Sequence, residues 1–214
     1  MTSCLPRNRT RVKTKLRRGS VKISITTLIR VTQTDYKTDT LSQEFHLMSA
    51  GNETVDWMAG LFYYQEDYDI DTSRDMGESF CSPTIAAIAG AGFAGLCLAN
   101  VQEGSTATTF TQELESLAAF GQATWNINKT WSTTVGLRWT DDQKVGDYIN
   151  VLNNPAAALF STNEAALGME QDDSKTTWFT NVNWYVTEDM MLFATASTGY
   201  KSGGFNSQSG GSVP

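Results

Sequence analysis

Hydrophobic and polar residues alternate with a period of two along much of this chain, most strictly between Glu115 and Lys144. Trp131, Thr133, Val135, Leu137 and Trp139 fall on one side of a strand, and Ser132, Thr134, Gly136, Arg138 and Thr140 on the other. Successive strand residues point to opposite faces, so one face is apolar and the other polar. Trp131 and Trp139 bracket the apolar face, roughly 26 Å apart at about 3.3 Å per residue. The apolar band of an outer-membrane barrel is about as tall and carries aromatic girdles at its edges. Upstream, Leu117, Ala119, Gly121, Ala123, Trp125 and Ile127 oppose Phe120, Gln122, Thr124 and Asn126, and the polar turn Asn126–Thr130 joins the two runs. The stretch reads as a β-hairpin with one greasy and one wet face.

The alternation predicts further strands over Val21–Val31, Thr38–Ser49, Val55–Asp71, Thr177–Val186 and Met190–Tyr200, about seven in all. In the last of these both parities are half apolar, and no face can be assigned. Links at Gly51, Asn128 and Thr187–Asp189 are short, whereas Thr72–Phe110 and Gly146–Asp173 are long and another long segment begins after Tyr200. Antiparallel membrane barrels segregate loops in this way, with short turns on the periplasmic side and long loops outside. A soluble β-sandwich gives similar strands but has no reason to sort its loops or to put Trp and Tyr at the ends of an exposed apolar face. The predicted fold class is therefore all-β, a segment of an antiparallel transmembrane β-barrel of about seven strands.

Composition agrees with this picture. A mean hydropathy of −0.30 speaks against a helical membrane protein, yet suits a barrel, in which every second strand residue is polar. The net charge of −7 is uneven: residues 1–22 carry eight of the 16 Lys and Arg and no acid, leaving eight basic against 23 acidic residues, a net of −15, in 23–214. Basic residues alternate at Arg7, Arg9, Arg11, Lys13 and Lys15. No aromatic residue interleaves with them, so a lumen-facing strand or sequence from a misplaced gene start fits better than a nucleic-acid arm. No apolar run of 7–15 residues follows them, as a signal peptide would require. The expected division is a basic segment over 1–22, outside the barrel domain, and barrel wall over 23–214.

Several local signals carry chemistry that the surrounding pattern does not support. Ile85–Val101 is 17 uncharged residues rich in Ala and Gly, at the lower limit for a membrane helix; its place inside a long loop favours a segment packed over the barrel mouth. It contains Gly90-x-Gly92-x-x-Gly95, the dinucleotide-binding spacing, but that fingerprint needs a strand before it and a βαβ unit around it. Cys81 and Cys97 flank most of the segment and are expected to form a disulfide if the loop is extracellular. With only three cysteines and no C-x-x-C pair, zinc and thioredoxin-like sites are not indicated. His46, the single histidine, shares a strand face with Glu44 and reads as a hydrogen-bonded wall residue rather than a metal ligand. The acidic run Glu66, Asp67, Asp69, Asp71 and Asp75 reads as a solvated rim. No catalytic set is identified, no metal site is expected, and no cofactor is called for.

Together these residues resemble the TonB-dependent outer-membrane receptors. Leu41-Ser-Gln-Glu-Phe-His-Leu-Met-Ser49 is similar to the family's "SQE-x-R-L-x-S" strand, with His46 where Arg is usual. Asp56-Trp-Met-Ala-Gly-Leu-Phe-Tyr-Tyr64 resembles its "W-x-x-G-x-Y-Y" strand. Ala118–Trp125 and Val135–Thr140 look like the next hairpin, and Met191–Asn206, with Gly199-Tyr-Lys-Ser-Gly-Gly-Phe-Asn206, resembles a late barrel strand and its rim. The resemblance covers Leu41–Asn206. It implies a roughly 22-stranded barrel with a plugged lumen in the outer membrane of a Gram-negative bacterium. It also implies import of iron–siderophore complexes, haem, vitamin B12 or sugars, driven by the TonB complex through the plug.

This sequence shows no plug, TonB box, signal peptide or terminal aromatic strand, so it reads as a barrel fragment. The expected partners are outer-membrane lipid, the TonB complex through a plug carried elsewhere, and a ferric siderophore or other small ligand, with no nucleic acid. Arg138 and the loop aromatics Phe80, Phe93 and Phe160 are the candidate ligand contacts; Gln122, Asn181 and Asn183 join Arg138 on the expected lumen wall. The alternative is a soluble or surface β-sheet binding module such as an adhesin-like sandwich.

Overall fold

The computed structural model describes residues 9–26, 30–51, 54–76, 81, 90–100, 105–159, 161–207 and 212–213. Seven strands form one sheet in sequence order: β1 (Arg9–Thr26), β2 (Arg30–Met48), β3 (Val55–Met76), β4 (Thr106–Asn126), β5 (Trp131–Leu152), β6 (Glu164–Thr187) and β7 (Met190–Ser197). Every neighbouring pair is antiparallel. Helix α1 (Ala91–Ala99) lies between β3 and β4, and a short 3-10 turn (Pro155–Leu159) between β5 and β6. A two-residue ribbon, β8 (Gly204–Phe205) with β9 (Ser212–Val213), follows. Among the described residues β1 and β7 have no strand on their outer sides, so the sheet is an open stretch of wall that fits a partial barrel.

Burial is inverted relative to a water-soluble sheet. On β5 the apolar side is the exposed one: Val135 is 55% exposed and Leu137 63%, while Ser132, Thr140, Asp142, Lys144 and Asn150 on the polar side are buried. Register carries the same division across the sheet. Leu137 stands opposite Gly121 and Trp178, whereas Arg138 stands opposite Phe120 and Thr177. The exposed apolar side also presents Phe45, Leu47, Trp57, Leu61, Leu117, Trp125, Val182 and Trp184. Water disfavours so much contiguous apolar surface, and such patches mark a protein or membrane contact. At the end with the short links Trp131 and Trp184, cross-strand partners, stack with ring centroids 5.3 Å apart.

The strands overrun their sequence-predicted lengths. β3 and β5 have 22 residues each and β6 has 24, where crossing a bilayer takes about 9–11. β5 continues through Gly146 to Leu152 and β6 begins at Glu164, so much of the expected loop Gly146–Asp173 is strand. Likewise β3 extends to Met76 and β4 starts at Thr106, shortening the expected Thr72–Phe110 loop. The expected strand Val21–Val31 is divided between two elements: β1 ends at Thr26 and β2 begins at Arg30. That link is short and lies at the same end as the two long ones, so the sorting of loops by length fails at the first hairpin. Residue 22 falls inside β1, which runs unbroken from Arg9 to Thr26 and registers Arg11 with His46 and Lys13 with Glu44. Gly51 supplies the positive φ of 91° in the β2–β3 turn, and Gly168 a φ of 61° beside the bulge that interrupts β5–β6 pairing, conformations that glycine adopts without a Cβ clash.

Candidate functional site

The buried, polar side of the sheet carries the chemistry. At its middle, β2–β5 bring Glu44 and Phe62 on one rung together with His46, Phe120 and Arg138 on the next. His46 Nε2 lies 2.7 Å from Glu44 Oε1, and its ring stands edge-on to Phe120 with centroids 5.5 Å apart. The Arg138 guanidinium sits over Phe62 and Phe120, its Cζ 5.4 and 5.7 Å from the two ring centroids, and Arg138 Nε donates to Thr140 Oγ1 at 3.1 Å. Two glycines make room for this group: a Cβ on Gly60 would strike the Phe120 ring, and one on Gly136 the Phe179 ring.

Further along the same face, the segment Tyr200–Phe205 folds back over β5 and β6. The Lys144 ammonium donates to Ser202 Oγ at 2.6 Å and to the Gly203 carbonyl. Asp173 accepts from Ser202 Oγ at 3.2 Å and from Gly203 N at 3.1 Å, and Tyr200 OH donates to Asp142 Oδ2 at 3.1 Å. Burial pushes the Tyr200 phenol above its ordinary value, with Asp142 adding to the rise; this keeps it a proton donor. The Phe205 ring covers Gly146, whose added Cβ would lie 2.9 Å from it. Phe205 also joins the cluster of Ile70, Phe110 and Tyr148, against which Tyr36 and Tyr68 pack. Sequence reasoning singled out none of Asp142, Lys144, Asp173 or Tyr200; the signal available was their parity, since Asp142 and Lys144 share the strand face of Arg138.

The long connections meet in a small cap. Cys81 and Cys97 stand as a disulfide with Cα atoms 5.5 Å apart, and Phe93, Ala156 and Ala157 pack around them. Asn154, fully buried, donates from Nδ2 to the Cys97 carbonyl at 3.2 Å and accepts from Ala156 N at 2.9 Å. Phe93 is 8% exposed, so its ring is part of this core and is not presented to a ligand: an apolar helix over water hides its largest side chain first. Phe80 and Phe160 lie outside the described residues. Arg138, Gln122, Asn181 and Asn183 share the concave side through their register; Arg138 is separated from the cap by more than a dozen strand residues. The Gly90–Gly95 spacing opens α1, but β3 and β4 on either side of it pair antiparallel, so no βαβ unit exists to bind a dinucleotide. No helix among the described residues is long and apolar enough to cross a membrane, and no group of three metal-ligating side chains is present among them.

The sequence matches the family model described as TonB dependent receptor-like, beta-barrel, over residues 7–214. The chain belongs to this family. No curated protein matches it. Among solved structures it is similar to the ferric yersiniabactin uptake receptor FyuA from Yersinia pestis, with a TM-score of 0.71 and 16% identity over 92% of this chain and 26% of that receptor. At that identity the likeness is one of fold, and the chain spans about a quarter of the receptor's length. TonB-dependent receptors are transporters of the Gram-negative outer membrane, not enzymes, and the inverted burial is what such a barrel wall requires.

Proposed function

We propose that this chain is wall of a TonB-dependent importer in the outer membrane, working within a longer protein whose plug couples it to the TonB complex. The imported ligand on this reading is small, of the ferric-siderophore type. One observation carries the proposal: on β5 the exposed side, Val135 and Leu137 between Trp131 and Trp139, is apolar and the sheltered side, from Ser132 to Thr140, is polar, and exposed Trp57, Leu61, Leu117, Trp125, Val182 and Trp184 continue the apolar side across β3, β4 and β6. In a chain of this family, a surrounding of acyl chains favours that arrangement. The FyuA likeness supports the ligand class through that receptor's ferric yersiniabactin uptake. In this reading Arg138, Gln122, Asn181 and Asn183 line the channel, and the disulfide-linked cap, with Phe80, Phe93 and Phe160, shapes the outer mouth.

Fractionation of native cells tests it. The protein should remain with outer membranes after a carbonate wash and should shift in apparent size on a gel when heated. Recovery of the whole protein in the soluble fraction without detergent would overturn the importer reading in favour of a surface or soluble binding module. Replacing Phe80 and Phe160 together in the full-length receptor should reduce ligand uptake; unchanged uptake would remove these loop aromatics from the proposal.

A further inference from the structure

The Arg138 side chain is anchored on the sheltered face of the sheet beside a cavity. Its guanidinium is held over Phe62 and Phe120, and its Nε is committed to Thr140 Oγ1. An arginine has five N–H donors in a planar fork, and the four on its terminal nitrogens have no protein acceptor among the described residues. The Glu44 carboxylate on the neighbouring rung is turned to His46 at 2.7 Å. Beside the guanidinium opens a cavity of about 260 Å³ on the concave side, lined by Phe120, Gln122, Thr177, Phe179 and Ser197 as well as Arg138. Its far wall is fixed, because the Phe179 ring fills the space left by Gly136.

We infer that this cavity is a carboxylate site. The guanidinium fork matches a carboxylate with two parallel N–H···O bonds, a geometry that a point charge cannot reproduce. Gln122 and Ser197 add donors around it, and the Phe120 and Phe179 rings favour a planar apolar body behind the acid group. A few convergent polar groups in an otherwise apolar concavity are what a small-ligand site requires. The carboxylate comes either from a small molecule in the lumen or from an Asp or Glu of a protein segment that enters it. The inference rests on the reading that the concave face borders a lumen.

The test uses the full-length protein in detergent with 4-bromobenzoate as the probe and 4-bromobenzamide as its uncharged counterpart. Saturation-transfer NMR should show saturable binding of the benzoate and none of the amide. Arg138→Gln should weaken the benzoate about tenfold or more, the loss expected on removing a charge-assisted bidentate pair. Arg138→Lys should recover only part. A crystal structure grown with the probe separates the sources: bromine anomalous signal beside Arg138 identifies a small-molecule site, and an Asp or Glu of the protein seated on the fork identifies an internal partner. A guanidinium with neither carboxylate, or benzoate binding unchanged in Arg138→Gln, overturns the inference. Fractionation of the same variants keeps the two readings apart, since a protein that stays in the outer membrane without a carboxylate at Arg138 loses only this site.

Discussion

The wall and the cap solve opposite problems with the same side chains. From Trp131 to Thr140 the wall turns Val135 and Leu137 outward and keeps Ser132 and Thr140 inside. In the cap Phe93, Cys97, Ala156 and Ala157 are inside, in the order familiar from soluble proteins. The difference is the solvent each region faces. Acyl chains solvate the wall, so its apolar side needs no partner and its stability comes from the ladder between strands. Among the described residues the cap core has only a handful of apolar side chains, too few for a self-sufficient core. A covalent link between Cys81 and Cys97 and the buried Asn154 bonds supply what the small core lacks.

The sharpest way to break the comparison is to put one charge on each side of one strand pair. Val135 lies midway between the two tryptophans on the exposed face, and Gln122 is beside it on the concave face. Val135→Arg should cost about 2–4 kcal/mol in a bilayer, the expected penalty for a lipid-facing arginine near the midplane. Gln122→Arg should change stability by about 0.5 kcal/mol or less, as a wet-surface substitution does. Urea unfolding in lipid vesicles, followed by the heat-modifiable gel shift, measures both. Equal costs would mean that the two faces do not see different solvents.

Removing the staple should act on the cap alone. Cys81→Ser with Cys97→Ser frees the 16-residue separation, worth roughly 3 kcal/mol in the chain-entropy account of a loop that size. Hydrogen exchange across Ala91–Ala99 should rise strongly, while amides of β4 and β5 keep their protection. A matching loss of protection in the wall would show that cap and wall fold as one unit.

The wall's own packing is tested at Gly136, where the Phe179 ring occupies the space of a side chain. Gly136→Val should cost about 1–3 kcal/mol through overpacking, read from the same unfolding midpoint. Phe179→Ala in that background should restore part of the loss, because it removes the clashing ring. If it restores nothing, the glycine is required by the backbone and not by Phe179.

How much of this was legible in the sequence follows the same division of solvents. Where lipid meets one face and water the other, polarity must alternate, and Trp131–Thr140 could be assigned residue by residue. Beyond the band both faces are wet: the later part of β5, Asp141–Asn150, has exposed Gln143 and Asp147 on one side and buried Asp142, Lys144 and Asn150 on the other. Burial alternates there but polarity does so only weakly, so from Gly146 onward the residues read as loop. Arg138 was found from its parity alone. Its clamp was hidden because Phe62 lies 76 residues away and reaches Arg138 only through the register of β3, β4 and β5. Phe93 packs in the cap core, and a loop aromatic gives no sign in the sequence of whether it caps a core or meets a ligand.

The smallest effect belongs to the turn that closes the β4–β5 hairpin, at the end where all three links are short. Asn128 Oδ1 accepts from Thr130 N and Thr130 Oγ1, both at 2.8 Å, and from Trp131 N at 2.9 Å. One side-chain oxygen thus ties down the backbone just before the first girdle tryptophan, the local service that Asn performs in turns. Asn128→Ala should cost about 0.5–1.5 kcal/mol, the net worth of a hydrogen-bonded group of this kind, and Asn128→Asp should be near neutral because it keeps the acceptor. Both are read from the unfolding midpoint in vesicles. If Asp is as damaging as Ala, the oxygen is not what holds the turn. If neither changes the midpoint, the hairpin is closed by the ladder above it and by the Trp131–Trp184 stack, and the wall owes its register to its lipid-facing band alone.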